Sequence, residues 1–474
     1  MFKATAFLTL ATIAGLALGF CREWLIIDHW GMSAETDALL VAMFLPEAIR
    51  MMLGSGLISS AALPLWTKLS HDVAGRWFNA QVNFSLLASL LLAGLLSLLA
   101  PVVVQLVGLG LSPPQVTLGK EIFLILVWSL PGMVLQSLLA VPLQAAHRYV
   151  LAGLGSFLFN LPPVLYLFIA AQPAFTTLAQ SYVLGSVLMA VILLPYALRS
   201  RLLTSLQLDL AATRSFLHQL WPLLTSSFAS QGLTMLERIC ASFLGEGTIT
   251  LVNFARKLTN LPLIALMSLN QVLLSKMSQA LHEHRTTLLN TGILLTTLLT
   301  LPASLFFTGA APSITKLTMP AGQDFAVLSI LLACFSPSLL FGSWNALLAR
   351  YYYAMGDTRT PLRIELTGSA MQALLMLTLP SIAGVYGLAF AVLGGVLLTA
   401  ILLASKISHS VLKQLMLQSM VSGVLLGISF LLLFPLFRHH GLWVQSGLAC
   451  LFASLVMLAY LWRLKQHFNQ PATT

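Results

Sequence analysis

Charged side chains are scarce in this sequence. Asp, Glu, Lys and Arg make up 8% of its 474 residues, whereas 58% of the residues are hydrophobic. A soluble domain carries about 25% charged and about 45–50% apolar residues. The mean hydropathy of +0.91 points the same way. This balance excludes an ordinary soluble domain and predicts a polytopic membrane protein.

Cysteine is scarce too, and Cys21, Cys240, Cys334 and Cys450 all fall in apolar runs. Their spacing fits neither a metal site nor a disulfide framework, so we interpret them as small packing residues. The sequence also lacks a Gly-rich phosphate loop and a His-Glu-x-x-His motif. We therefore predict no catalytic residues, no metal and no cofactor. The first apolar run has no small-residue cleavage site, and we expect it to be an uncleaved span.

A membrane-spanning helix needs about 20 predominantly apolar residues. Fourteen stretches meet this requirement, and they predict an all-α polytopic bundle of about 14 transmembrane helices. The predicted spans are 5–27, 36–66, 80–107, 118–145, 149–171, 176–199, 214–244, 247–280, 286–310, 324–352, 360–383, 386–405, 412–437 and 442–464.

The basic residues support this count. If the N-terminus is cytoplasmic, 16 of the 24 Lys and Arg residues lie at the cytoplasmic side, and the opposite loops keep only Lys316 and Arg438. The cytoplasmic set is Lys3, Lys68, Arg76, Arg148, Arg199, Arg201, Arg214, Lys276, Arg285, Arg350, Arg359, Arg363, Lys406, Lys413, Arg463 and Lys465. Helical membrane proteins keep Lys and Arg on the cytoplasmic side. This bias predicts that both termini are cytoplasmic, and it explains the net charge of +10 without a nucleic-acid partner.

A weak internal repeat suggests how the spans are grouped. A shift of 216 residues maps Arg22 onto Arg238, Gly31 onto Gly247, Asp37 onto Asn253, and Leu45-Pro46 onto Leu261-Pro262. Parallel repeats of this kind are common in transporters. We therefore predict an N-terminal lobe over 1–213 with spans 1–6 and a C-terminal lobe over 214–406 with spans 7–12. Spans 13 and 14 and a cytoplasmic tail occupy 407–474.

Charges inside the spans are the candidate functional groups, because each costs about 2.5–3.5 kcal/mol at a helix centre on insertion scales. Arg22, Arg50 and Arg256 are the candidate substrate-binding residues, since a guanidinium matches phosphate oxygens. Arg22 lies nearer the outer end of its span, from which a long side chain can extend to the interface, so a purely structural role competes more strongly at this position.

A second group of polar residues is predicted to support the cavity. These are Glu23, Asp37, Glu237, Arg238 and Asn253. Structural pairing is the competing interpretation: Arg22 with Asp37 or Glu23, Arg50 with Glu47, and Arg238 with Glu237. Asn160 and Gln231 are expected to satisfy backbone or neighbouring helices.

Several motifs resemble one family. They are Gly19-Phe20-x-Arg22-Glu23, Thr36-Asp37-Ala38, Leu45-Pro46 with Arg50 four residues on, Ala241-Ser242-Phe243-Leu244, Ala255-Arg256, and Gly356-Asp357-Thr358-Arg359-Thr360-Pro361. Together they resemble the MurJ (MviN) lipid II flippases of the MOP exporter superfamily, from span 1 to about span 11.

The resemblance implies two six-helix lobes plus two extra helices. It implies a flippase, not an enzyme, that moves an undecaprenyl-diphosphate-linked peptidoglycan precursor across the bacterial inner membrane. Arg22, Arg50 and Arg256 match family arginines in the central cavity, and Asp37 matches a functionally important aspartate. The implied partners are the lipid-linked oligosaccharide, membrane lipid and proteins of cell-envelope biosynthesis, with the chain itself a monomer.

Some positions depart from the family pattern. Leu16, Met51, Ser55 and Ala255 stand where the family commonly has charged residues, so this cavity is less charged. That leaves a flippase for another lipid-linked oligosaccharide of exopolysaccharide export as one alternative. An ion-coupled drug exporter is a second, although cationic drugs favour acids and aromatics over arginines. A membrane glycosyltransferase or polymerase is a third, and it would favour a sizeable outer loop or a catalytic acid pair.

Overall fold

The computed structural model describes residues 2–54, 57–146, 148–200, 202–203, 209–280, 282–319 and 325–469. Across these residues the regular structure is helical. The helices are α1 (Phe2–Trp30), α2 (Ala34–Gly54), α3 (Leu57–Lys68), α4 (His71–Leu98), α5 (Ala100–Val107), α6 (Pro113–Leu126), α7 (Leu130–Ala145), α8 (Tyr149–Gly153), α9 (Gly155–Ile169), α10 (Phe175–Val191), α11 (Leu194–Arg199), α12 (Leu210–Ser242), α13 (Thr248–Asn260), α14 (Leu263–Gln279), α15 (His282–Gly309), α16 (Ala311–Thr318), α17 (Ala326–Ala354), α18 (Arg359–Thr378), α19 (Pro380–Ala383), α20 (Tyr386–Ile407), α21 (His409–Ile428) and α22 (Leu436–Asn469).

Each of the fourteen predicted spans coincides with one helix or with consecutive helices. Among the residues described, nine helical stretches are long and apolar enough to cross a membrane by length and composition. Four of the other five predicted spans carry the candidate charged residues, and the fifth is interrupted at Leu154 between α8 and α9. The prediction of an all-α polytopic membrane protein is therefore confirmed.

Several spans are broken into two helices. A 3-10 turn at Val127–Ser129 joins α6 to α7, and a π-helical turn at Ser429–Leu433 follows α21. Pro46 lies inside the continuous helix α2, whereas Pro262 stands between α13 and α14. Helices in membrane bundles tolerate such breaks when neighbouring groups satisfy the freed backbone atoms.

The chain forms two compact units, Met1–Thr250 and Leu251–Thr474. The first has a core of buried apolar residues that includes Phe78, Leu138 and Phe216. Helix α12 packs on α2, α3, α4 and α5 within this unit. The division predicted from the repeat, with boundaries at 213 and 406, stays a prediction.

The second unit has its own core, which includes Trp344, Leu347 and Tyr351 of α17. Helix α17 packs on α15 and α20, and α22 packs on α15. Gln445 of α22 is fully buried, and its Nε2 lies 2.9 Å from the carbonyl oxygen of Gly309 at the end of α15. The last span is thus joined to this unit by a polar contact as well as by packing.

Candidate functional site

The turn between α1 and α2 is built from local hydrogen bonds. Gly31 has a φ of 69°, a conformation that favours glycine because other side chains clash there. The Thr36 hydroxyl donates to the Gly31 carbonyl over 2.9 Å, and the Ser33 hydroxyl accepts the Thr36 N–H over 3.2 Å. These bonds end α1 and start α2, so Arg22 on α1 and the charges of α2 are held at fixed positions.

Arg22 is enclosed by partners and is only 1% exposed. Its Nη1 donates to Asn160 Oδ1 over 2.8 Å, and its Nη2 donates to Glu23 Oε1 over 2.5 Å. Asn160 in turn donates to the Gly15 and Ser156 carbonyls. Burial and bound partners therefore hold the Arg22 side chain among the helices of the first unit. Of its two proposed acid partners, the structure shows Glu23.

Arg22, Glu23, Glu47 and Arg50 form one cluster of charged side chains, and Arg50 lies at its accessible edge. Its Nη2 is 3.6 Å from Glu47 Oε1, and the same oxygen is 3.4 Å from Arg22 Nη2. The Arg50 side chain is 19% exposed and that of Glu47 is 12% exposed, against 2% for Arg22. The proposed pairing of Arg50 with Glu47 is present, yet Arg50 is the more accessible of the two guanidinium groups.

Two aromatic rings complete the cluster. The Arg22 guanidinium lies 5.1 Å from the centroid of the Tyr182 ring, and that of Arg50 lies 5.1 Å from the centroid of Phe159. Such cation–π contacts attract the guanidinium to the ring face. The helices that carry the rings approach closely, since a Cβ at Gly185 would lie 2.6 Å from the Phe159 carbonyl oxygen.

Asp37 is 1% exposed and binds the start of α13. Its Oδ1 accepts the backbone N–H of Thr250 over 2.8 Å and the Thr250 hydroxyl over 2.7 Å. Thr250 is the third residue of α13, where a backbone N–H has no partner within the helix. Asp37 therefore caps that helix through its side chain. Pairing with Arg22 was one interpretation of the sequence, and the structure shows Thr250 as the partner of Asp37.

Arg238 and Glu237 are buried near the end of α12, with exposures of 8% and 4%. Arg238 Nη1 donates to the carbonyl oxygen of Leu40, and its guanidinium lies 5.0 Å from the centroid of the Phe44 ring. Both contacts are with α2. Arg238 thus fixes α12 to the opening hairpin.

Arg256 and Asn253 lie in the part of α13 that follows Thr250 and belongs to the second unit, and both are half-buried. The Arg256 guanidinium lies 5.7 Å from the centroid of the Phe335 ring on α17. All four candidate arginines therefore have an aromatic ring beneath them. Of the four departures from the family pattern, Leu16 and Met51 are exposed and Ala255 is buried. Ser55 lies outside the described residues.

One pair of residues related by the internal repeat has the same backbone conformation. Gly31 and Gly247, which the 216-residue shift aligns, have φ angles of 69° and 76°, and each precedes a helix that carries a candidate arginine. A Cβ at Gly247 would lie 2.2 Å from the Met32 carbonyl oxygen. Glycine is required at this position for both reasons.

The Gly356–Pro361 motif forms the turn before α18 and the first three residues of that helix. Gly356 has a φ of 79°, and Asp357 Oδ1 accepts the backbone N–H groups of Arg359 and Thr360 over 3.0 Å each. Hydrogen bonds from Thr360 hold the pKa of the Asp357 carboxyl below its usual value. The motif has a structural role here, as the cap of a helix.

Sequence reasoning missed the rings of Tyr182 and Phe159 and the capped residue Thr250. Asn160 was expected to satisfy backbone groups or neighbouring helices, and it bonds both to backbone carbonyls and to Arg22 on α1. Asn160 is a polar residue in an otherwise apolar span, and that isolated polarity was the available signal. No pattern in the sequence pairs the rings with the arginines.

The fold is that of a polytopic membrane protein with charged side chains buried among its helices. An inward-facing multidrug-resistance MATE family transporter of the MOP superfamily shares the fold, with a TM-score of 0.67 and 15% identity over 88% of this chain and 99% of that one. A structure of lipid II flippase MurJ in an inward closed conformation matches with a TM-score of 0.84 and 21% identity, over 97% of this chain and 99% of the other.

Sequence comparison identifies the family. Residues 28–461 match the family described as lipid II flippase MurJ. A probable lipid II flippase MurJ from Thermotoga maritima is 24% identical over 452 residues, which are 92% of each chain. The chain belongs to the lipid II flippase MurJ family.

Proposed function

We propose that this chain translocates lipid II, an undecaprenyl-diphosphate-linked peptidoglycan precursor, across the bacterial inner membrane. The family match over residues 28–461 carries this proposal. Transport needs no bond to be made or broken in the substrate. The protein has only to bind the polar headgroup, shield it from the apolar bilayer and expose it on the other side by alternating access.

The diphosphate is the part of the substrate that needs charge compensation. Arg50 and Arg256 are our candidates for this contact, because both are more accessible than Arg22 and Arg238. A guanidinium donates two parallel hydrogen bonds to phosphate oxygens, and charge-assisted bonds are roughly twice as strong as neutral ones. The rings of Phe159 and Phe335 orient these two guanidinium groups.

The remaining candidates have a supporting role. Arg22, Glu23 and Asn160 form a buried network beside Arg50, and removal of one partner from a buried ion pair typically costs about 3–5 kcal/mol. Asp37 binds Thr250 in the first turn of α13, and Arg238 fixes α12 to the opening hairpin. Asn253 and Glu237 lie on those two helices. We assign positioning to these residues and substrate contact to Arg50 and Arg256.

The orientation and driving force complete the proposal. We place both termini in the cytoplasm, from the distribution of Lys and Arg. The membrane potential is the candidate driving force, worth about 2.3 kcal/mol per charge per 100 mV. The transporter acts as a monomer, alongside proteins that build the cell envelope.

Complementation tests the function directly. The cell's own lipid II flippase is depleted, and this chain is expressed in its place. Restored growth, together with lipid II headgroups reaching the outer face, is the expected result. Failure to restore growth at equal membrane levels of the protein contradicts the proposal only if lipid II translocation also fails. The headgroup assay is therefore decisive. A parallel assay with another undecaprenyl-diphosphate-linked oligosaccharide separates the peptidoglycan precursor from exopolysaccharide substrates.

A further inference from the structure

Glu47 is the acid that the two arginines of the first unit share. Its Oε1 lies 3.4 Å from Arg22 Nη2 and 3.6 Å from Arg50 Nη2. We propose that Glu47 is an internal counter-anion, which the diphosphate of the incoming lipid displaces from Arg50. This inference rests on the proposed function and adds a residue that sets how tightly the substrate binds.

The cluster is asymmetric in a way that favours exchange at Arg50. The side chains of Arg22 and Glu23 are 2% and 4% exposed, whereas those of Arg50 and Glu47 are 19% and 12% exposed. Of the two pairs, Arg50–Glu47 is therefore the one that an entering anion can contact. The buried pair behind it stays closed to solvent.

The distances favour exchange as well. A strong bond between a guanidinium and an anionic oxygen is about 2.7–2.9 Å long. The Glu47 carboxylate stands at 3.6 Å from Arg50, and it sits three residues away on the same helix. A phosphate is not tied to α2 and takes the shorter distance, so it competes well for this guanidinium.

Both arginines remain supported after the exchange. Arg22 keeps Asn160 at 2.8 Å and Glu23 at 2.5 Å, so it does not depend on Glu47 for its partners. Arg50 keeps its position over the Phe159 ring. The ring neutralises little charge, so a vacated Arg50 favours an incoming anion, and Glu47 returns when that anion leaves.

Binding of undecaprenyl diphosphate to the purified full chain in lipid nanodiscs tests the proposal. Glu47→Gln removes the competing charge and keeps the side-chain size. We expect its Kd to fall about fivefold, the scale of one partly exposed ion pair. Glu47→Asp keeps the charge but withdraws the carboxylate by one methylene. Its Kd should lie between that of Glu47→Gln and that of the unsubstituted chain.

Glu35→Gln is the matched control, because it removes the same charge from the exposed first turn of the same helix. Its Kd should equal that of the unsubstituted chain. A Kd for monodisperse Glu47→Gln or Glu47→Asp that equals or exceeds the unsubstituted value would overturn the inference. If the unsubstituted chain translocates lipid II normally, that result leaves the proposed function intact. If it neither binds the probe nor translocates lipid II, both proposals fail together.

Discussion

Thr250 donates two hydrogen bonds to a single carboxylate oxygen of Asp37. Oδ1 of Asp37 accepts the Thr250 backbone N–H over 2.8 Å and its hydroxyl over 2.7 Å. The two residues are 213 positions apart, and both are buried. The start of α13, the helix that carries Arg256, is therefore capped by a side chain of α2.

Replacement of Asp37 should reduce lipid II translocation more than it reduces the amount of protein in the membrane. Asp37→Ala leaves the Thr250 N–H without its acceptor, and loss of a helix cap costs about 0.5–2 kcal/mol. We expect membrane levels to hold and lipid II translocation to fall, measured on the same vesicles. Thr250→Ser, which keeps both donors, is the matched control and should stay close to normal. Loss of the protein from the membrane would instead assign Asp37 to folding.

Substitutions at Arg50 and Arg256 separate binding from folding. Arg→Lys keeps the charge and loses the planar fork, so it should retain part of the translocation activity. Arg→Ala should abolish nearly all of it while folded protein is retained. Quantitative blots beside a headgroup translocation assay measure both effects. Normal translocation by both alanine variants at normal levels would refute the binding role.

Arg22 provides the contrast to this pair. Its guanidinium bonds to Asn160 and Glu23 through different nitrogen atoms, and lysine has one nitrogen where arginine has three. Arg22→Lys should therefore lower the amount of folded protein, whereas Arg50→Lys should not. Equal protein levels for the two variants would show that the buried network does not need the fork.

The polar contacts of Gln445 should contribute to stability. Its Nε2 lies 2.9, 3.1 and 2.9 Å from the carbonyl oxygens of Gly309, Leu433 and Phe434, and its Oε1 accepts the Ser313 hydroxyl over 2.5 Å. Gln445→Leu removes the donor to these three carbonyls and one of the two acceptors near the Ser313 hydroxyl, and we expect a loss of about 1–3 kcal/mol in detergent. Thermal unfolding measures it. Gln466→Leu, at an exposed position of the same helix, is the control, and an equal effect from it would contradict the argument.

The topology follows from the Lys and Arg distribution and is tested by labelling. A cysteine introduced at Ser33, Ser112 or Glu246, one per variant, should react with a membrane-impermeant thiol reagent added outside intact cells. Cysteines at His71, Asp209 and His284 should react only after the membrane is opened. The unsubstituted chain reports the background from its own four cysteines. The opposite labelling pattern would refute the predicted orientation, and a mixed pattern would refute the fourteen-span count.

The sequence predicts the helices well because a membrane span is a local property. Residues 324–352 were predicted as one span, and α17 occupies Ala326–Ala354. Predicting contacts is harder, because they depend on how distant helices pack. Asn160 is 138 residues from Arg22, and nothing in either span indicates that the two bond. Glu23 was a candidate partner only because it is adjacent in sequence.

The close approach at Gly185 has a consequence for mutational screens. The backbone of α10 rests against the Phe159 carbonyl, and this spacing sets where the Tyr182 and Phe159 rings stand, 5.5 Å apart. A methyl group at position 185 would move both rings without changing any atom that meets the substrate. A search for inactive variants should therefore recover this residue, which has no functional group, beside the arginines that do.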